Sequence, residues 1–352
     1  MTRPGYPLAL FATLLALLVV LLGAYTRLSH AGLGCPDWPG CYGFLGVPMS
    51  ESSQALAESR FPAAPLEVAK GWYEMVHRYF AGSLGLVVLA LAVHALRHRG
   101  EPGQPLKLPL ALLGLVIVQA AFGMWTVTLK LWPQVVTAHL LGGFATLSLL
   151  FLLTLRLSGA ASAVPRLPAR LRVLAALGLV LVIGQIALGG WVSSNYAAVA
   201  CVDLPTCHGQ WWPAMDFANG FHLTQHIGPN YLGGQLDSDA RTAIHMTHRL
   251  GALVLSLVLL LLAWQLRRGG LPRLASLLLL ALAVQLGLGV SNVLLHLPLA
   301  LAVAHNAGGA GLLLSLVLIN YRLRSAAAAA PVPVEQAGGP VARNGFAALS
   351  TK

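Results

Sequence analysis

Four histidines of this chain recur at matched places. Ala138-His139 is followed by Gly142-Gly143, and Ala304-His305 by Gly308-Gly309, at a constant offset (305 − 139 = 166). The same offset carries Gln119 and Gly123 onto Gln285 and Gly289. A second echo links Met75-Val76-His77-Arg78 to Met246-Thr247-His248-Arg249. An imidazole in an apolar run is a poor lipid-facing group but a good metal ligand. Two imidazoles facing one another across a helix bundle are the arrangement that holds heme iron from both sides. One such histidine alone reads as a packing or hydrogen-bonding residue. Four at repeat-related positions point to two metal or heme centres, with His77 and His139 in one half and His248 and His305 in the other. His30, His94, His98, His208, His222, His226 and His296 lack this pairing and read as loop or interface residues.

Glu74 lies three residues before His77, hence on the same helical face. It is the only one of the eleven acidic residues expected within a membrane helix, and intramembrane carboxyls are functional candidates by default. The matching position of the second half is His245, three before His248. The halves share a ligand pair but not the carboxyl, which points to chemistry in one half and electron transfer in the other. The plainer alternative is an ion pair of Glu74 with Arg78 or Lys70 in the wet interface. Arg78 and Arg249 each follow a candidate ligand, near the outer interface where heme propionates would project, and Arg–carboxylate pairing suits that role. Snorkelling to headgroups is their alternative.

These residues need long apolar elements to position them. The 352-residue chain is 57% hydrophobic and 9% charged, far below the ~25% charged residues of soluble domains. Eight stretches approach the ~20 residues of a membrane helix: about 8–25, 72–95, 108–128, 135–155, 173–192, 242–265, 273–294 and 299–320. The first lacks a small-residue cleavage site and reads as a membrane helix, not a signal peptide. The expected fold is an all-α membrane protein of two pseudo-symmetric four-helix bundles. Residues 1–160 form the first bundle, 161–324 the second, and 325–352 a disordered inner tail.

The net charge of +11 raises nucleic acid as a partner. With the N-terminus inside, fifteen of the 22 Lys and Arg fall in inner loops and tails and seven outside. That is the bias of a protein with both termini cytoplasmic, so the charge reports topology. The long loops 26–71 and 193–240 fall outside and hold all four cysteines, Cys35 and Cys41 in one, Cys201 and Cys207 in the other. An oxidising compartment favours the disulfides Cys35–Cys41 and Cys201–Cys207. Redox thiols or metal ligands are the alternatives.

The run from Gly32 to Gly43 (GLGCPDWPGCYG), then Glu74-Met-Val-His77-Arg78, then the two Ala-His-x-x-Gly-Gly segments, resembles the heme A synthase family. The similarity covers about residues 10–322. It implies an inner-membrane enzyme that oxidises the C8 methyl of heme O to a formyl group, giving heme A for terminal oxidases. It further implies that His77 and His139 ligate the substrate heme, that His248 and His305 ligate heme b, and that Glu74 is the functional carboxylate. Cys35 and Cys41 match a first-loop pair tied to disulfide formation or heme delivery. Heme O synthase is the implied donor of substrate, homo-oligomers are compatible, and the electron acceptor stays open. The residues alone also admit a diheme cytochrome moving electrons between quinol and an outer acceptor. A transporter fits less well, because the polar residues cluster near one surface, away from the midplane.

Overall fold

The computed structural model describes residues 2–159 and 168–328. Ten helices follow in chain order: α1 (Tyr6–Leu28), α2 (Glu51–Arg60), α3 (Val68–Arg97), α4 (Lys107–Thr128), α5 (Pro133–Leu157), α6 (Ala169–Ser194), α7 (Phe217–Gly220), α8 (Ser238–Arg268), α9 (Pro272–Leu294) and α10 (Leu299–Ala328). Eight of them, all but α2 and α7, are long and apolar enough to cross a membrane. Each expected stretch is present and extends by a few residues. Among the described residues there is no strand, only isolated bridges Cys41–Phe44 and Cys207–Gln210.

Three boundaries differ from expectation. The loops contain short helices that no apolar period announced. One of them, α2, is set by a capping box in which Ser50 Oγ accepts from Ser53 N–H and Ser53 Oγ from Ser50 N–H. Helix α8 starts at Ser238 and takes Asp239 into its first turn, where an acid meets the positive end of the helix dipole. Helix α10 continues past residue 325. The rest of the proposed tail, 329–352, and the proposed boundary at 160/161 lie outside the described residues.

The helices pack as two rings. Helices α1, α3, α4 and α5 close the first in the neighbour order α1–α3–α4–α5–α1. Helices α6, α8, α9 and α10 close the second in the same order. The rings meet through α5 against α6, α1 against α10 and α5 against α10. Residues separated by the repeat offset touch one another at this seam. The His30 and Tyr196 rings stack at 5.6 Å, Arg27 donates to the Ser193 carbonyl, and Tyr321 Oη donates to the Leu155 carbonyl at 3.2 Å. Contacts of this kind occur at both ends of the seam, 196 minus 30 and 321 minus 155 each being 166.

The turns obey the same repeat. Lys130 and Leu131 (φ 50° and 61°) break the chain between α4 and α5, and His296 and Leu297 (58° and 60°) do so between α9 and α10. Two consecutive left-handed residues reverse the chain sharply, and Pro133 then starts α5 at a position that needs no N–H donor. The core is one continuous cluster across both rings, built on side chains such as Leu150, Leu259 and Leu316 with no exposed surface. Outward-facing Leu86, Val173 and Leu280 are 65–70% exposed, as lipid-facing side chains are.

Polar ties are few. Thr13 and Thr154 hydroxyls bond at 2.9 Å, and Asn320, the repeat counterpart of Thr154, donates from Nδ2 to the Ala175 carbonyl at 2.9 Å. Hydrogen bonds between membrane helices average ~0.6 kcal/mol, whereas a large-to-small core change costs about 2–5 kcal/mol. Leu150→Ala should therefore lower the thermal midpoint of the purified protein in detergent several times more than Asn320→Leu. An equal or larger shift from the asparagine change would show that polar ties, not packing, hold the rings.

Candidate functional site

The four paired histidines sit on diagonal corners of their rings. His77 is on α3 and His139 on α5, which face one another across the first ring instead of lying side by side. His248 on α8 and His305 on α10 repeat this in the second. Each pair lies within electrostatic reach across its ring interior.

What gives each imidazole room is a glycine on the adjoining helix. A Cβ on Gly23 of α1 would lie 2.9 Å from His77 Cε1, and one on Gly123 of α4 3.4 Å from His139 Cε1. A Cβ on Gly189 of α6 would lie 3.3 Å from His248 Cε1, and one on Gly289 of α9 3.1 Å from His305 Cε1. Gly23 and Gly189, like Gly123 and Gly289, are 166 apart. Sequence reasoning picked out Gly123 and Gly289 but missed Gly23 and Gly189, whose common spacing was the available signal.

Three corners carry a reciprocal lock. A glutamine one turn before the backing glycine lays its amide over a second glycine, three residues after the histidine. Gln119 lies over Gly142, Gln285 over Gly308 and Gln185 over Gly251. Gln185 Nε2 donates to the His248 carbonyl at 2.9 Å and lies 3.1 Å from its Nδ1. Gln285 Nε2 lies 3.3 Å from His305 Nε2. The Nδ1 atoms of His77, His139 and His305 are buried without a partner in the protein. Among the described residues no three His, Cys, Asp or Glu side chains gather as a cage for a bare cation. Opposed imidazoles backed by glycines, three of the four with a ring nitrogen left without a partner, instead fit a planar macrocycle that brings its own in-plane ligands.

Above the histidines lie the two cysteine loops. Both cysteine pairs are bonded, Cys35–Cys41 and Cys201–Cys207, with Sγ–Sγ distances of 1.98 and 1.99 Å, and all four cysteines are buried. Each loop is organised by an aspartate that sequence reasoning left as an ordinary loop acid. Asp37 accepts from the N–H groups of Tyr42 and Gly43, both at 2.7 Å. Asp203 accepts from His208 N–H at 2.8 Å, Gly209 N–H at 3.0 Å and the Thr206 hydroxyl at 2.6 Å. Tyr42, His208, Gly43 and Gly209 all have φ between 55° and 78°, a conformation the carboxylate stabilises from below.

The two arginines serve these loops. Arg78 donates to the carbonyls of Asp37, Pro39 and Gly40, and Arg249 to those of Thr206, Cys201 and Asp203. Arg78 also pairs with Glu74 Oε1, both side chains being nearly buried, so the ion pair exists but is not in the wet interface. Glu74 Oε2 accepts from Cys35 N–H at 2.9 Å, while Lys70 pairs with Glu67. His245, at the Glu74 position of the second half, is buried with Nδ1 2.9 Å from the Ala197 carbonyl. Both positions fasten a loop to a helix, but only Glu74 does so with a carboxyl paired to an arginine.

The fold and site define a multi-pass helical membrane protein with two internal histidine pairs, each beside a disulfide-closed loop. A family model described as cytochrome oxidase assembly protein (COX15-CtaA) matches residues 7–317, and the chain belongs to that family. A protein of Shewanella oneidensis named heme A synthase is 50% identical over 255 residues, covering 71% of this chain and 75% of the relative. Proteins of the same name from Chelativorans sp. and Halalkalibacterium halodurans are 32% and 24% identical, covering 70% and 74% of this chain and 68% and 77% of theirs.

The Asp203 carboxyl is held down to about 2, first by the Thr206 hydroxyl and then by the loop N–H groups. A depressed value stabilises the folded loop above the ordinary 3.8 and loses that contribution as the pH falls towards 2. Asp203→Asn should speed reduction of Cys201–Cys207 by a phosphine reductant at pH 7, and the difference from wild type should close near pH 2. Equal rates at pH 7 would show that the aspartate does not hold the loop.

Proposed function

We propose that the chain works as a heme A synthase, oxidising the C8 methyl group of heme O to a formyl group and yielding heme A for terminal cytochrome oxidases. The observation that carries this is the family membership joined to two histidine pairs in glycine-cleared ring interiors. In this reading His77 and His139 bind the substrate heme iron in the first ring. His248 and His305 hold heme b in the second, where the Gln185 and Gln285 amides lie beside the imidazoles. Heme b, when bound, supplies a one-electron relay for electrons leaving the substrate. Turning a methyl into an aldehyde adds one oxygen atom and removes four protons and four electrons in two successive oxidations; with all four electrons leaving through a relay in the same chain, the oxygen comes from water. The difference between the halves supports this division, because Glu74 carries a charge above His77 and His245 takes its place above His248.

The residues of the first half divide the remaining work. The histidine pair positions the macrocycle against α3 and α5. Glu74 sits one turn towards the outer side of His77, in a buried pocket with Arg78 and the Cys35 amide. There it takes protons from the reacting carbon or stabilises developing positive charge. Arg78 fastens the disulfide loop over this end of the ring. The eight apolar helices and the distribution of Lys and Arg support a cell-membrane protein with both termini cytoplasmic and the heme sites towards the outer side. A lipid-embedded heme O synthase is the natural donor of so apolar a substrate.

Two experiments test the assignment. His248→Ala or His305→Ala should remove bound heme b, read as the pyridine hemochrome of the purified protein, because the iron loses an axial ligand. His77→Ala or His139→Ala should keep heme b and abolish heme A. Equal loss of heme b from all four would overturn the division between substrate and relay. For the carboxylate, Glu74→Gln retains an acceptor for the Cys35 amide but neither charge nor basicity. The ratio of heme A to heme O extracted from cells should fall ~10²-fold, the scale of a lost general acid–base group, with heme O or its hydroxymethyl form accumulating. A wild-type ratio at normal protein level would leave Glu74 only its structural role beside Arg78.

A further inference from the structure

Four corners of the molecule are built on one plan, and one of them departs from it. At three, Gln-x-x-x-Gly on one helix meets His-x-x-Gly on the next: Gln119/Gly123 with His139/Gly142, Gln285/Gly289 with His305/Gly308, and Gln185/Gly189 with His248/Gly251. Residues four or three apart share a helix face, so the imidazole fits over the glycine of one helix and the amide over the glycine of the other. The fourth corner keeps the histidine and its backing glycine, His77 and Gly23. The glutamine position, one turn before Gly23, is Val19, and the glycine position, three after His77, is Phe80. Gly23 lies against the His77 ring as Gly189 lies against His248, which fixes the register.

The two changes belong together. In the second ring the Gln185 amide oxygen lies where a Cβ on Gly251 would be, so a glutamine there requires the glycine. In the first ring these two positions carry a branched aliphatic and an aromatic side chain, and Phe80 is 37% exposed. A polar corner has become an apolar one.

Resting on the reading of the first ring as the substrate site, we infer that Val19 and Phe80 form the specificity corner that admits the isoprenoid chain of heme O. Heme O differs from heme b by carrying a long hydrocarbon chain in place of a vinyl group. Such a chain needs an apolar exit from the ring interior. Three corners end in an amide held over a glycine and present a polar wall. The His77 corner has no such amide and carries hydrocarbon at both positions. The corner therefore selects the prenylated heme for the first ring, and the amide corners keep the second ring for the unprenylated one.

The test exchanges the corners in the full-length protein purified with its resident heme. Heme O and heme B are titrated separately into the first site and followed by the Soret band. Wild type should prefer heme O. V19Q/F80G, which installs the amide–glycine plan, should lose at least roughly tenfold of that preference, the scale of a pocket change that discriminates a few methylenes, with the resident heme b spectrum and thermal midpoint unchanged. Q185V/G251F should lower the resident heme b per protein. If V19Q/F80G does not fold, V19A and F80A are read instead, and each should weaken heme O binding severalfold while leaving heme B binding alone. An unchanged preference in folded variants would overturn the corner's role and leave the enzyme assignment standing. A wild-type first site that takes up neither heme would overturn both.

Discussion

An imidazole inside a membrane bundle needs both space and a reason to stay. The glycines at 23, 123, 189 and 289 supply the space, because a Cβ at any of them would press on a histidine ring. The reason is the ligand expected between the paired rings, since a buried nitrogen without a partner is costly in a dry interior. Most of the remaining architecture follows from keeping these four contacts. The histidine helices must be diagonal, so that each adjoins the helix bearing its glycine. The helices must also pack at close range, which the small residues at these crossings permit.

The sequence repeat is visible at the seam between the rings, where residues meet their own counterparts, His30 with Tyr196 and Leu155 with Tyr321. Against this background the differences acquire meaning. Glu74 faces His245, Val19 faces Gln185 and Phe80 faces Gly251 across the repeat. All three differences lie at the His77 corner or directly above it. A duplicated scaffold has thus kept one corner-building rule three times and broken it once, at the ring that also holds the buried carboxylate.

The membrane helices were legible because a run of about twenty apolar residues has few other readings, and the histidine pairs because the repeat singled them out. What sits beside them was less so. Gly23 is more than fifty residues from His77, and nothing local in α1 marks it. Gln185 sits in an apolar helix with no histidine of its own. Arg78 and Arg249 show the opposite difficulty. A guanidinium next to a candidate ligand reads as a propionate partner, and the fold adds a second task that the sequence did not announce, since both also direct N–H groups to loop carbonyls. Asp37 and Asp203 looked like surface acids, and their work depends on left-handed residues that only the folded turns reveal.

The second outer loop does not stay over its own ring. The Trp132 indole donates to the Gln225 carbonyl, the Gln134 amide to that of Leu223, and the Tyr231 N–H to that of Lys130. Part of the cover on the first ring is thus encoded more than ninety residues downstream of the turn it rests on. During synthesis the first four membrane helices emerge and insert before this cover exists. The first ring accordingly lacks this part of its cover for as long as translation takes to reach residue 231. Completion of the chain, and not closure of the first ring alone, brings that interval to an end.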